Sequence, residues 1–223
     1  MNIFYQIFRW IGVVTGYPFK WLFFKNKIYY ENERVPKRVK GGALIITNHF
    51  NPLDYVLNVF VFFPRKLYVV ASEHAFKNAW LRFGMKFWGG IRCDRNTRNM
   101  GFVIKSIKEI KKGHLVQIFP EGHNTDDGTI KPFYPSYLLI ALKAKAPIVP
   151  LISDGNYGFF KRVHLIKGEA IDLSQYISSD KPSKEEILQL NELVYQRVLA
   201  LRAELDARIE ADKKGRNKRC GGK

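Results

Sequence analysis

Two polar clusters in the sequence hold residue types that can carry out acid–base chemistry. The first contains Asn48, His49 and Asp54 and directly follows the apolar run Ala43–Thr47. An aspartate that accepts a hydrogen bond from one imidazole nitrogen fixes the tautomer of the ring and leaves the other nitrogen free to take a proton. The cluster holds no serine or cysteine nucleophile. The base would therefore deprotonate a hydroxyl or amine of a bound substrate, which then attacks an acyl carbon.

The second cluster is Phe119-Pro120-Glu121-Gly122 with the polar residues after it, and it follows the apolar run His114–Ile118. The carboxyl ends of parallel strands meet at one edge of a sheet, so both clusters are expected to converge there. A histidine and an aspartate at this spacing occur by chance in many proteins, and the combination of the two clusters carries the hypothesis. The alternatives are a hydrogen-bonded structural histidine at position 49, and a carboxylate at position 121 that accepts from nearby backbone amides.

The rest of the chain predicts the elements that would position these clusters. Short runs rich in Ile, Val and Leu alternate with longer helical stretches, which predicts an α/β fold with a mostly parallel sheet flanked by helices. The predicted strands are Ala43–Thr47, Leu67–Ala71, His114–Phe119 and Ile148–Ile152, and a fifth, Val163–Gly168, is expected to close the sheet. The predicted helices are Pro52–Phe62, Phe76–Phe87, Arg98–Lys111 and Tyr137–Lys145.

The carboxyl-terminal part predicts one long helix, Ser183–Asp212. Ser183 followed by Glu185 and Glu186 is a helix start signal, and apolar residues recur after it at helical spacing. The tail Lys213–Lys223 is basic and contains glycine, so it is expected to be disordered. With 223 residues the chain is long enough for one domain, which we place at residues 41–212.

Residues 1–30 form a distinct aromatic and basic segment. It holds eleven aromatic residues, and its longest uncharged run, Trp10–Phe19, has ten residues. A membrane-spanning helix needs about 20 apolar residues, so a span is not predicted. Gly16 and Pro18 divide the segment into two short amphipathic helices, residues 2–15 and 18–25. Tryptophan and tyrosine interleaved with cations favour a lipid headgroup layer, so this segment is predicted to be a monotopic membrane anchor. The alternative is an aromatic helix packed on the core.

The net charge is strongly positive. There are 37 Lys and Arg against 20 Asp and Glu, a formal charge of +17. Such a surface attracts nucleic acid, anionic lipid or a phosphate-rich cosubstrate, and charge alone does not choose between them. Nucleic-acid binding would need aromatic residues spread over a groove, whereas here they concentrate at the amino terminus. The two cysteines, Cys93 and Cys220, have no partners at metal-binding spacing, and no metal or glycine-rich phosphate motif is present.

Four blocks in order resemble the glycerolipid acyltransferase family, which includes the bacterial 1-acylglycerol-3-phosphate acyltransferases. They are Asn48-His49 through Asp54, Gly89-Gly90-Ile91-Arg92-Cys93-Asp94-Arg95, Phe119-Pro120-Glu121-Gly122 and Ala146-Pro147-Ile148-Val149-Pro150-Leu151. The blocks cover roughly residues 40–155, and the amino-terminal helices fit the same family.

The resemblance implies residue roles and partners. His49 would be the general base, Asp54 its orienter, and Glu121 with Gly122 would bind and position the acceptor. Arg95 would pair with an acceptor phosphate, which a guanidinium binds with two hydrogen bonds, although a salt bridge to Asp94 is the structural alternative. The donor would be acyl-CoA or acyl-carrier protein, the acceptor a lysophospholipid, and no other cofactor is needed. The protein would lie peripherally or monotopically on the cytoplasmic face of the inner (plasma) membrane.

The sequence departs from the family at the acceptor pocket. The family commonly has Thr-Arg-Ser after the Glu-Gly pair, where this chain has His123-Asn124-Thr125. Because this chain lacks that arginine, we expect that Arg92 or His123 replaces its positive charge, or that the acceptor is a lysolipid other than 1-acylglycerol-3-phosphate. Two further alternatives are a non-catalytic membrane-binding protein on the same fold and a thioester or lipid hydrolase.

Overall fold

The structure, a computed structural model, describes residues 3–23, 25–51, 53–94, 100–123, 128–159, 161–177 and 182–220, with side chains for all of these except 3–6, 23 and 216–220.

A mostly parallel sheet forms the centre of the fold, as predicted. The strands of the described residues are β1 (Lys25–Tyr30), β2 (Ala43–Ile46), β3 (Leu67–Ser72), β4 (Gly90–Cys93), β5 (Leu115–Ile118), β6 (Ile148–Ser153) and β7 (Arg162–Lys167). Their order is β1-β7-β6-β2-β5-β3-β4, and every neighbouring pair is parallel except β6 and β7. In register, Leu44 of β2 lies opposite Val116 of β5 and Ile148 of β6.

Helices cover both faces of this sheet. They are α1 (Ile3–Thr15), α2 (Tyr17–Phe23), α3 (Asp54–Phe62), α4 (Ala79–Trp88), α5 (Gly101–Lys111), α6 (Ser136–Ala144) and α7 (Lys184–Cys220). Side chains alternate along a strand, so Leu44 and Ile46 pack with α5, α6 and α7 while Ala43 and Ile45 pack with α1 and α3. All four residues of β2 are fully buried, because the sheet is covered on both faces.

The amino-terminal helices match the predicted pair, with the break at Gly16. No helix in the described ranges is long and apolar enough to cross a membrane. The second predicted helix, residues 18–25, was wrong at its end: α2 stops at Phe23, and residues 25–30 are a strand paired with β7. Lys25 and Lys27 suit the edge position that this strand occupies, where cations discourage pairing with another chain.

The strand predicted at Val163–Gly168 does not have the predicted position in the sheet. β7 does not close the sheet, because β1 lies outside it, and β7 runs antiparallel to β6. A short apolar run in the sequence does not indicate whether the strand runs parallel or antiparallel to its neighbour. The chain returns beside β6 within the short connection between Ser153 and Arg162, and the backbone N–H of Asp154 donates to the carbonyl oxygen of His164 at 3.0 Å.

The disorder predicted for residues 213–223 is corrected over most of its length. α7 continues past Asp212 to Cys220, and residues 221–223 lie outside the described residues. Lys213 supports the helix through an i,i+3 pair, in which its Nζ donates to Oε1 of Glu210 at 2.7 Å. Arg208 holds the preceding turn of α7 on the sheet by donating to the carbonyl oxygen of Tyr30 at 2.8 Å.

Candidate active site

A cavity of about 910 Å³ opens at the carboxyl ends of the parallel strands. The residues after β2, β4 and β5 line it, among them His49, Asp94 and Gly122, and Met85 of α4 and Tyr134 form further walls. The topology therefore brings together the two clusters that the sequence separates. A cavity of this volume lies within the range of small-molecule sites.

His49 and Asp54 form a hydrogen-bonded pair at this cavity. Nδ1 of His49 lies 3.3 Å from Oδ2 of Asp54. The imidazole lines the cavity, whereas the Asp54 side chain is only 2% exposed. Because the aspartate engages Nδ1, Nε2 is the nitrogen left for a proton from a bound substrate. The ring also stacks on Phe119, with centroids 3.8 Å apart, so its plane is set from a second direction.

Asp54 is held by more partners than the histidine. Its Oδ2 also accepts from the backbone N–H groups of Phe50 at 3.1 Å and Asn51 at 2.9 Å, which lie just before α3. Its Oδ1 accepts from the hydroxyl of Tyr157 at 2.5 Å. Burial, together with the neighbouring charge of Asp54, raises the pKa of Tyr157, so the phenol remains a donor at neutral pH. Pro52, the predicted helix start, lies outside the described residues.

Asn48 fixes the loop that carries His49. Its side-chain amide donates to the carbonyl oxygen of Ser153 at 3.0 Å, and its side-chain oxygen accepts from the backbone N–H of Ser153 at 2.9 Å. These paired bonds tie the end of β2 to the end of β6. Asn48 therefore has a structural role, because it sets where the backbone turns before His49.

Glu121 fits the structural alternative given above, a carboxylate that accepts hydrogen bonds from nearby backbone amides. It is fully buried, and its two oxygens accept from the backbone N–H groups of His49 at 3.0 Å and Lys131 at 2.9 Å. Burial raises the pKa of Glu121, although both backbone donors act to lower it. The side chain does not line the cavity. The prediction that Glu121 contacts the acceptor does not fit this burial; its bonds instead hold the His49 loop against the loop after β5.

Gly122, unlike Glu121, lines the cavity. Its φ is +75°, and a Cβ added there would lie 3.1 Å from the ring of Tyr134. The left-handed backbone favours glycine, and the nearby ring leaves little space for a Cβ. Its N–H donates to the carbonyl oxygen of Phe119 at 3.1 Å, which closes the turn that presents His123 to the cavity.

The two arginines predicted to bind the acceptor have different outcomes. Arg95 lies outside the described residues. Arg92 is on β4 with its side chain 56% exposed, and its Nε donates to Oδ1 of Asp94 at 2.6 Å. Arg92 does not line the cavity, whereas the next two residues, Cys93 and Asp94, do. The geometry therefore gives no support to Arg92 as the replacement for the missing arginine.

Tyr157 is the site residue that the sequence analysis missed. It lies in the polar turn Asp154-Gly155-Asn156-Tyr157, which directly follows β6. A polar turn after a strand is the same signal that identified the other two clusters. Asp154 stabilises this turn, since it accepts from the backbone N–H of Asn156 at 3.0 Å and pairs with Nδ1 of His164 at 2.7 Å. Over the described ranges, no group of three or more His, Cys, Asp or Glu side chains is placed to hold a metal ion.

Comparisons with known proteins identify the family to which the chain belongs. The model of the family described as Acyltransferase matches residues 27–154. A 1-acyl-sn-glycerol-3-phosphate acyltransferase of Bacillus subtilis is 28% identical over 182 residues, covering 79% of this chain and 88% of that protein. One of Cocos nucifera is 28% identical over 191 residues, covering 82% of this chain and 59% of that protein. The crystal structure of the 1-acyl-sn-glycerophosphate acyltransferase from Thermotoga maritima superposes with a TM-score of 0.57 at 21% identity, covering 89% of this chain and 78% of that one, and it shares the fold.

Proposed function

Because the chain belongs to the Acyltransferase family, we propose that it moves a fatty acyl group from a thioester to the free hydroxyl of a lysophospholipid. The acceptor proposed is 1-acylglycerol-3-phosphate, since the relatives that match along most of this chain are named for it. The donor proposed is acyl-CoA or acyl-carrier protein, and the reaction would contribute to phospholipid synthesis. The observation that carries the proposal is the His49–Asp54 pair, with the imidazole at the cavity wall and the carboxylate buried behind it.

The proposed reaction uses His49 twice. Nε2 takes the proton of the acceptor hydroxyl as its oxygen attacks the thioester carbonyl carbon, which forms a carbon–oxygen bond and an oxyanion. The tetrahedral intermediate then collapses, the carbon–sulfur bond breaks, and the imidazolium returns its proton to the thiolate. Asp54 stabilises the imidazolium between these steps. The products are the diacylated lipid and the free thiol, and the base is regenerated.

The surroundings of the pair suit lipid substrates. The cavity wall includes apolar side chains such as Val70, Ile118 and Leu139, which favour hydrocarbon over water. Glu121 would position the His49 loop, and Gly122 would let the backbone approach the acceptor. Arg95 remains the proposed partner of an acceptor phosphate, and His123, on the cavity wall, is a second basic residue there.

Membrane association is part of the proposal. Trp10 on α1 is 55% exposed and Trp21 on α2 is 67% exposed, and Nζ of Lys25 lies 4.9 Å from the centroid of the Trp21 ring. Exposed tryptophan with cations fits the headgroup layer of an anionic membrane. We place the protein on the cytoplasmic face of the inner (plasma) membrane, where both a soluble thioester donor and a lipid acceptor are within reach.

The test is acyl transfer by the purified, detergent-solubilised chain, with products identified by mass spectrometry. Acyl-CoA and acyl-carrier protein are offered as donors, with lysophospholipids that have or lack a free phosphate as acceptors. His49→Ala is compared with His74→Ala, a control whose side chain is 76% exposed. Transfer to 1-acylglycerol-3-phosphate that is lost only in His49→Ala supports the proposal.

Other outcomes would change it in different ways. Transfer to another lysolipid alone would keep the mechanism and replace the acceptor. Release of free fatty acid without any acceptor would replace the transferase by a hydrolase. Folded protein with no turnover of either donor would overturn the catalytic proposal.

A further inference from the structure

α4 exposes large apolar side chains to an unusual degree. None of its residues is buried, and Trp80 is 85% exposed, Phe83 59% and Leu81 49%. Single exposed apolar residues are common on soluble proteins and need no explanation. Three within one helical turn form a local apolar patch, which indicates a surface that contacts something other than water.

This patch continues into the amino-terminal helices. Trp80, Phe83 and Phe87 are spaced three and four residues apart, so they lie along one side of α4. At the end of that side, α4 meets α1: a Cβ added to Gly12 would lie 3.5 Å from Phe87 and 3.8 Å from Trp88. The aromatic side of α4 therefore adjoins the helix whose exposed Trp10 we assign to the membrane.

The charge of α4 fits an anionic lipid surface. Lys77, Arg82 and Lys86 are all exposed, and the stretch from Lys77 to Trp88 contains no aspartate or glutamate. Aromatic residues that alternate with cations, with no carboxylate among them, match the headgroup layer of an anionic membrane. α2 has the same pattern with Lys20, and α1 adds exposed apolar side chains and no carboxylate, while its one cation, Arg9, is buried. A lipid surface therefore fits all three helices.

α4 also forms part of the cavity wall through Met85. We propose that α4 is a third membrane-docking element, which together with α1 and α2 seats this side of the cavity on an anionic lipid surface. The inference rests on the membrane association proposed above and extends it. One helix would then contact lipid on one side and substrate on the other, so that an acceptor enters from the membrane without crossing water.

Variants with a single tryptophan test membrane association and docking by α4 separately, by fluorescence. Trp10→Phe, Trp21→Phe and Trp88→Phe together leave Trp80 as the reporter for α4. The matched protein keeps Trp21 for α2 and replaces Trp10, Trp80 and Trp88. Each is mixed with phosphatidylglycerol–phosphatidylcholine vesicles that contain brominated phosphatidylcholine, whose bromines quench tryptophan only at short range. We expect quenching and a blue shift of emission for both proteins.

The other results are distinguishable. Quenching of Trp21 without quenching of Trp80 would overturn docking by α4 and leave the membrane association intact. Quenching of neither, with protein that stays in the supernatant on vesicle sedimentation, would overturn both proposals.

A vesicle-binding comparison tests the same proposal without the multiple tryptophan changes. Trp80→Ser with Phe83→Ser removes the exposed aromatic residues of α4. The control, Tyr176→Ser with Leu193→Ser, removes residues that are 50% and 37% exposed on the opposite side of the sheet from α1. We expect partitioning to anionic vesicles to fall roughly tenfold in the α4 variant, given the apolar area withdrawn from lipid, and to change little in the control. Equal binding by the two variants, both with unchanged thermal unfolding, would overturn the proposal.

Discussion

The hydroxyl of Tyr157 donates a hydrogen bond to Oδ1 of Asp54, the carboxylate oxygen that His49 does not use. Oδ2 is occupied by His49 and by the backbone N–H groups of Phe50 and Asn51. With donors on both oxygens the carboxylate has one orientation, and that orientation fixes the imidazole. Tyr157 thus acts on the reaction through Asp54 as a positioning residue.

Tyr157→Phe is therefore expected to lower kcat about tenfold to a hundredfold with little change in KM, because a hydrogen bond to a charged group contributes about 1.5–3 kcal/mol. The matched control is Tyr137→Phe, whose buried hydroxyl has no hydrogen-bond partner in the described part of the chain and whose removal should leave kcat unchanged. The measurement is steady-state acyl transfer beside thermal unfolding. Equal kcat values for the two variants would show that the Tyr157 hydroxyl does not serve catalysis.

Substitutions of His49 and of Asp54 should differ in their effect on protein stability, although both residues are needed for activity. His49→Ala and Asp54→Ala are each expected to reduce acyl transfer by about a thousandfold or more, since the base and its orienter act as one unit. Asp54→Ala should also lower the free energy of unfolding by about 1–3 kcal/mol more than His49→Ala does, because Phe50, Asn51 and Tyr157 lose their acceptor. Denaturant unfolding measures the difference, and equal losses would contradict the assigned role of Asp54 in holding the loop.

The sequence predicted the sheet and the convergence of His49 and Glu121 because both depend on local patterns, apolar runs followed directly by polar turns. It missed β1, since Lys25–Tyr30 has too few apolar residues to indicate a strand, and its strand form depends on pairing with β7. It also missed Tyr157, whose contact with Asp54 spans 103 residues of sequence. The direction of β7 and the burial of Glu121 likewise follow from tertiary packing, which no single segment encodes.

Glu121 gives a pH prediction. Its pKa in the folded protein is raised above the ordinary carboxyl value of 4.5, mainly by burial. As pH rises through the interval above 4.5, the folded state holds its proton longer than the unfolded state does, so stability falls. Glu121→Gln removes this titration.

We therefore expect the free energy of unfolding of the wild type, minus that of Glu121→Gln, to be constant below pH 4.5 and to decrease above it. Denaturant unfolding over a pH series measures this difference. Because the glutamine cannot accept from both His49 and Lys131, the variant should also lose activity at every pH. A difference that increases with pH would mean that the two backbone donors outweigh burial.

The missing acceptor arginine gives the last prediction, which compares Arg92 with His123. Both were predicted to replace its charge, but only His123 lines the cavity, while Arg92 is exposed and bonded to Asp94. His123→Ala should therefore raise KM for a phosphate-bearing lysolipid about threefold to tenfold, the effect of losing one hydrogen bond to a charged group that remains partly solvated. Arg92→Ala should leave that KM within about twofold, since an exposed ion pair contributes little.

The same assay with an acceptor that lacks a free phosphate is the control, because neither variant should change its KM. A larger effect from Arg92→Ala than from His123→Ala would restore Arg92 as the acceptor ligand and would require its side chain to turn from Asp94 into the cavity.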